Sequence, residues 1–218
     1  MMKRIPGLLI LVLVLIAAGA LAVVGVLRVL GPAPQTLTSG SAVVGKAIRT
    51  GTPAIGGPFT LVSTNGESVT DQSFHGKWLL IFFGYTSCPD LCPTALANVS
   101  VALEKFGPDT SQLQPLFITV DPQRDTRDVM ANYLKSFDGR ILGLTGTQAQ
   151  IDSVTKNYRV CVQLDKSERG GDDYLVSHSA YLYLMGPKGK FVNVIEGKED
   201  GEAIAAWLRK EMNRSMWW

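Results

Sequence analysis

The chain has 218 residues, 46% hydrophobic and 18% charged, which is enough apolar material for one globular domain with a sizeable core plus a short appendage and is not the make-up of a disordered chain. Three cysteines are too few for a disulfide-dense miniature scaffold. Of the 21 Lys and Arg residues, Lys3, Arg4 and Arg28 lie in the first thirty positions, leaving 18 against 19 Asp and Glu in the rest, a net of −1 that excludes a basic nucleic-acid-binding body.

Leu8 to Leu27 is a stretch of 20 residues without a charged or strongly polar side chain. As a helix it would span about 30 Å, the thickness of a bilayer core. It predicts an N-terminal transmembrane helix within a membrane anchor, residues 1–30. Lys3 and Arg4 just before it favour a cytoplasmic N-terminus. The chain would then be a single-pass protein of a bacterial inner membrane with its C-terminal domain in the periplasm. The rival reading is a cleaved signal peptide with Ala18-Gly19-Ala20 as the small-residue site. Residues 31–56, rich in Gly, Ser, Thr and Pro, read as a flexible tether. The globular domain is expected over 57–214, followed by a short tail, 215–218, in which the tryptophans could meet the membrane interface.

Within the domain, Phe59 to Val62 and Glu67 to Thr70 flank Asn65-Gly66, a hairpin signal. Trp78 to Tyr85 is a continuous apolar run, as expected of a strand buried on both faces. Pro93 to Phe106 reads as a helix through Leu96, Val99, Leu103 and Phe106. Leu116 to Val120 reads as a strand, Asp125 to Phe137 as a helix and Ile141 to Leu144 as a short strand. Thr147 to Tyr158 reads as a helix capped by Thr147. Ser179 to Met185 and Phe191 to Glu196 form a second hairpin around Gly186-Pro187-Lys188-Gly189, and Asp200 to Asn213 is a closing amphipathic helix. The alternation predicts an α/β domain with a mixed sheet covered on both faces and its site at the carboxyl ends of the strands.

That place is occupied by Gly84-Tyr85-Thr86-Ser87-Cys88-Pro89-Asp90-Leu91-Cys92-Pro93. A residue before proline avoids the α region, so Cys88 and Cys92 are not two rungs of one regular helix. Pro93 suits the first helical position, making Cys92 the cap and Cys88 part of the turn before it. A thiol beside a helix N-terminus gains thiolate character. Two converging thiolates can take a soft metal, above all Cu(I), with a neutral imidazole as a third ligand. They can equally close into a disulfide and exchange with a partner. Structural zinc usually requires four ligands. His178, at the entrance to an apolar strand, is a candidate third ligand, with a capping or core role as the alternative. His75, in a polar turn, reads as solvated. Cys161, in the alternating Tyr158-Arg159-Val160-Cys161-Val162, reads as a buried small apolar residue.

The block from Gly84 to Pro93 resembles the signature of the SCO/SenC family. Asp121-Pro122-Gln123-Arg124-Asp125-Thr126 resembles its second block, although a strand-to-helix turn capped by Asp125 explains those residues too. Asp173 to Met185, with Gly186-Pro187 after it, resembles the third. The resemblance covers about residues 56–213. It implies a thioredoxin-like fold and Cys88, Cys92 and His178 as copper ligands. It also implies a metallochaperone role in delivering copper to, or maturing, the binuclear copper centre of cytochrome c oxidase. The copper-centre subunit and a periplasmic copper donor or thiol reductant would be its partners. Ser87 stands where relatives often carry histidine, and Cys161 has no counterpart in the family motif. The alternative function is a thiol–disulfide oxidoreductase in which Cys88 and Cys92 are the redox-active pair. A peroxide-reducing enzyme would need Arg124 or Arg127 beside the reactive thiolate.

Overall fold

The structure, a computed structural model, describes residues 55–165 and 174–215, all within the unit Gly51–Trp218. The described elements run β1 (Thr60–Ser63), β2 (Ser68–Thr70), β3 (Trp78–Gly84), α1 (Leu91–Phe106), β4 (Leu113–Thr119), α2 (Arg127–Leu134), β5 (Leu142–Thr145), α3 (Gln148–Asn157), β6 (Val162–Asp165), β7 (Leu175–His178), β8 (Tyr181–Met185), β9 (Phe191–Glu196) and α4 (Gly201–Ser215). Seven strands form one sheet in the order β2-β1-β5-β4-β3-β8-β9, and β6 with β7 forms a separate two-stranded ribbon. β3, β4 and β5 are mutually parallel. β1 joins β5, and β8 joins β3, in antiparallel fashion. This is the thioredoxin-like mixed sheet flanked by helices that the resemblance implied.

The central strands explain themselves chemically. All seven residues of β3 are buried, because helices cover both faces of a parallel centre. α1 buries Leu96, Val99, Leu103 and Phe106, the stripe its spacing predicted, together with Ala95 and Ala102. It packs against α4, which buries Ile204, Ala205 and Leu208. Gly201 permits that crossing: a Cβ there would stand 2.5 Å from the Val101 side chain. Thr147 caps α3 in a reciprocal pair with Gln150, as expected. α2 begins later than predicted. Thr126, not Asp125, is its cap and accepts from the Val129 N–H, because the Asp125 carboxylate is engaged elsewhere.

The ribbon β6–β7 stands apart from the main sheet, which the alternation of elements does not predict. The expected membrane-spanning helix is not found: among the described residues no helix is long and apolar enough to cross a membrane. The longest described helix, α1, has 16 residues, about 24 Å of rise against the ~30 Å of a bilayer core. The segment Leu8 to Leu27 that prompted the expectation lies outside the described residues, as do the Ala18-Gly19-Ala20 site, most of the tether and the last three residues. The described residues thus offer no membrane-spanning element for the expected transmembrane anchor, single-pass inner-membrane placement or periplasmic orientation.

Candidate metal and dithiol site

β3 ends at Gly84, the chain turns through Tyr85 to Asp90, and α1 starts at Leu91 with Asp90 as its cap. Cys92 thus lies in the first helical turn rather than at the cap, and Pro93 follows as the third helical residue. Proline is tolerated there because first-turn N–H groups have no partner within the helix. The Cys92 N–H is one such donor, and it is directed at the Cys88 sulfur, 3.4 Å away. Cys88 is half-buried on the turn and Cys92 is fully buried. Gly84 makes room for the second sulfur: a Cβ at this position would lie 2.9 Å from Cys92 Sγ and 2.8 Å from the Phe117 ring.

The imidazole arrives on the ribbon. His178 closes β7, opposite Val162 of β6. Its Nε2 lies 3.3 Å from Cys92 Sγ, while Nδ1 lies 3.3 Å from the Ser179 carbonyl oxygen. With its proton on Nδ1, donated to that carbonyl, the ring would present the Nε2 lone pair to a metal held by the sulfurs; with its proton on Nε2, it would donate to the sulfurs instead. Phe82 and Tyr85 meet the ring edge-on at 6.0 and 5.9 Å and fix its plane. Two sulfurs and one imidazole nitrogen all lie within 4.8 Å of one another. A cleft lined by Cys88, Leu91, Val176 and His178, among others, opens beside them.

Electrostatics split the two thiols. The Cys88 thiol is pushed down to about 3, chiefly by the hydrogen bond from the Cys92 side chain, against the cost of burial, with His178 and the Cys92 N–H assisting. Cys92 is raised, because it supplies that bond and lies in a desolvated place. The two thiols titrate as a coupled pair in which Cys88 favours the thiolate and Cys92 the thiol. Beneath them lies the buried Asp125. Its carboxylate accepts from the Thr86 N–H at 3.0 Å and from the Thr119 hydroxyl at 2.6 Å, and burial raises its pKa. Asp125 thereby ties the cysteine turn to the end of β4.

The remaining candidates fall elsewhere. His75 is exposed, as expected. Cys161 is exposed rather than buried. The alternation was right but its phase was not, since Val160 faces inward and Cys161 outward. Arg124 pairs with Asp121 and Arg127 with Asp128. Sequence reasoning passed over Tyr85 and Tyr174, whose role depends on contacts between distant segments. The signal at hand was their place at the edges of the first and third motif blocks.

Residues 48–213 match the SCO1/SenC family. The mitochondrial SCO1 homologue of Homo sapiens is 41% identical over 159 residues, 72% of this chain and 52% of that protein. The sco1 protein of Schizosaccharomyces pombe is 42% identical over 157 residues, 71% of this chain and 60% of that protein. The chain thus covers a little over half the length of these curated relatives. Among solved structures, copper-bound ScoI of Bradyrhizobium japonicum is 46% identical, with a TM-score of 0.67 over 72% of this chain and 99% of that one. Copper-bound ScoI of Arabidopsis thaliana is 38% identical, with a TM-score of 0.69 over 74% and 99%. With the match extending through the cysteine turn, the Asp121 block and the strand that carries His178, the chain belongs to the SCO1/SenC family.

Proposed function

We propose that this protein binds one copper ion through Cys88, Cys92 and His178 and hands it on to the binuclear copper centre of a cytochrome c oxidase. The observation that carries this reading is the convergence of two sulfurs and an imidazole nitrogen within 4.8 Å. That donor set suits soft, low-coordinate Cu(I), and among the described residues no fourth cysteine, histidine or carboxylate joins the cluster to make it a structural zinc site. Relatives whose solved structures are described with copper bound support the same assignment. Binding requires both cysteines reduced, so loading is coupled to thiol redox state. Cys88, the less buried sulfur, lies on the cleft side and is where an acceptor's incoming ligand meets the cargo. Transfer then proceeds by exchange of one ligand at a time between docked proteins. The test is Cu(I) competition against a chelator with the reduced chain. One tight equivalent is expected in the wild type and none in a Cys88→Ala, Cys92→Ala double variant; retention of that equivalent would sink the reading.

A second reading, thiol–disulfide exchange, is favoured by the low pKa of Cys88 beside a protonated second thiol. The Cys88 thiolate would attack a partner disulfide, forming a mixed disulfide and expelling one partner thiolate. Cys92, giving up its proton, would then attack Cys88 Sγ and expel the second. The products are a Cys88–Cys92 disulfide and a partner reduced by two electrons. This chemistry needs both cysteines but not the imidazole, so His178→Ala separates it from copper binding.

A further inference from the structure

The ribbon that carries His178 pairs with no strand of the main sheet. Its placement over the sulfurs must come from other contacts: the burial of Val176, the ring contacts of His178 and a cluster of polar contacts at Tyr174. Tyr174, immediately before β7, is buried. Its hydroxyl donates to Asp121 Oδ1 at 2.7 Å. Its backbone carbonyl accepts from Arg124 Nη1 at 2.9 Å, and its ring lies under the same guanidinium, 3.8 Å from ring centre to carbon. Arg124 Nε in turn donates to Asp121 Oδ2 at 2.5 Å, which closes a triangle of phenol, carboxylate and guanidinium. The Asp121 N–H is itself held by the Thr119 hydroxyl at the end of β4. Two residues past Tyr174, the Val176 N–H donates to the Tyr85 hydroxyl at 3.3 Å, and Tyr85 meets the His178 ring. An unbroken path therefore runs from the end of β4, through Tyr174 and along β7, to the imidazole.

We propose that Tyr174, seated on Asp121 and Arg124, is a positioning residue that sets the distance of the His178 imidazole from the two sulfurs, and through it how tightly copper is held and how readily it is released. This rests on the copper reading above. The geometry leaves little slack: ligand sets work within roughly 0.5 Å of their productive positions, and a ribbon only four residues long on each side transmits a shift at Tyr174 directly to His178.

The test uses the full chain, reduced. Tyr174→Phe deletes the bond to Asp121 and keeps the ring under the guanidinium. Asp121→Asn keeps an acceptor for the hydroxyl and weakens the pairing with Arg124. Each is made in the wild type and in a His178→Ala background. In the metal-free protein, amide exchange at Val176 and Ser177 should quicken about tenfold in either single variant. Cu(I) competition should show about tenfold weaker binding in the wild-type background and no further loss in the His178→Ala background, where no imidazole remains to be placed. An equal loss in both backgrounds would mark a general structural effect and overturn the proposal, as would unchanged exchange and affinity in both variants. If wild type and His178→Ala bind copper alike, the copper reading fails separately. Exchange alone then decides: faster exchange supports the positioning role and wild-type exchange overturns it.

Discussion

The sulfurs and the imidazole reach one point in space from two differently built regions. The sulfur-bearing corner grows out of the densest part of the molecule. β3 is buried along its whole length between β4 and β8, Gly84 accepts Cys92 Sγ against its backbone, and Asp125 anchors the turn through Thr86 and Thr119. The imidazole rides on a ribbon of two four-residue strands that pairs with no strand of the main sheet and reaches the rest of the domain through contacts such as the bond from the Val176 N–H to the Tyr85 hydroxyl. Such a ribbon has little stability of its own and depends on what it docks against. The corner is fixed by packing along a whole central strand, whereas the ribbon is fixed by the burial of Tyr174 and Val176 and by a small set of hydrogen bonds to the main body. On the copper reading proposed above, the dithiol would hold the ion in a fixed place, and the imidazole could be weakened without dismantling the site.

The largest expected effect lies in the corner. Removing both sulfurs should abolish tight Cu(I) binding, measured by competition, and disulfide exchange with a model disulfide should vanish with it. On the ribbon, His178→Ala should weaken Cu(I) binding by about a hundredfold, or about 2.8 kcal/mol, while leaving disulfide exchange largely intact. Equal damage to both activities by His178→Ala would mean that the imidazole belongs to the dithiol chemistry as much as to the metal, and the contrast between the regions would collapse.

A smaller effect probes the packing itself. Gly84→Ala places a methyl group 2.8 Å from the Phe117 ring and 2.9 Å from Cys92 Sγ, well inside contact distance. Overpacking of this kind costs about 1–3 kcal/mol, so thermal unfolding should shift down by several degrees. Copper affinity should fall with it, since Cys92 is the atom displaced. A variant with unchanged melting temperature and affinity would show that the corner yields more easily than its packing implies.

What could be read from the sequence follows the same division. Local order announced the corner: the apolar run of β3, the helical spacing of α1, and two Cys-Pro pairs after a strand. The error there was one of register, because Asp90 rather than Cys92 caps the helix. The ribbon was harder to see. Its strands are short, they are separated by the polar stretch from Lys166 to Asp173, and a two-stranded unit lacks the run of apolar residues that marks a central strand. Cys161 was placed on the wrong side for the same reason, since alternation gives a period and leaves the inward face undetermined. From its own segment His178 is a candidate ligand no better than a capping or core residue, and only the resemblance of its block to a family implies the ligand role, because nothing local to Ser177-His178-Ser179 speaks of residues 86 positions away. The Asp121–Arg124–Tyr174 triangle joins segments some fifty residues apart and is legible only in three dimensions.

The smallest expected effect is a flat pH profile. Cys88 carries the depressed pKa, about 3, and the leading cause is the Cys92 thiol that donates to it, with His178 assisting to a lesser extent and burial opposing. The deprotonated form is the favoured one, so thiolate is lost only as pH falls through that value. An ordinary thiol, titrating near 8.5, alkylates about tenfold faster for each pH unit gained below its pKa. Cys88 in the metal-free, reduced protein should instead alkylate at a rate that changes less than about twofold between about pH 6 and about pH 8. Mass spectrometry in a Cys161→Ser background keeps the exposed third thiol out of the measurement. The two regions then separate by substitution. Cys92→Ala removes the principal donor and should restore a steep profile, whereas His178→Ala should tilt it only slightly. The opposite ranking would mean that the ribbon, and not the corner, holds the thiolate, and that lifting the imidazole away changes the chemistry of the sulfur as well as the coordination of the metal.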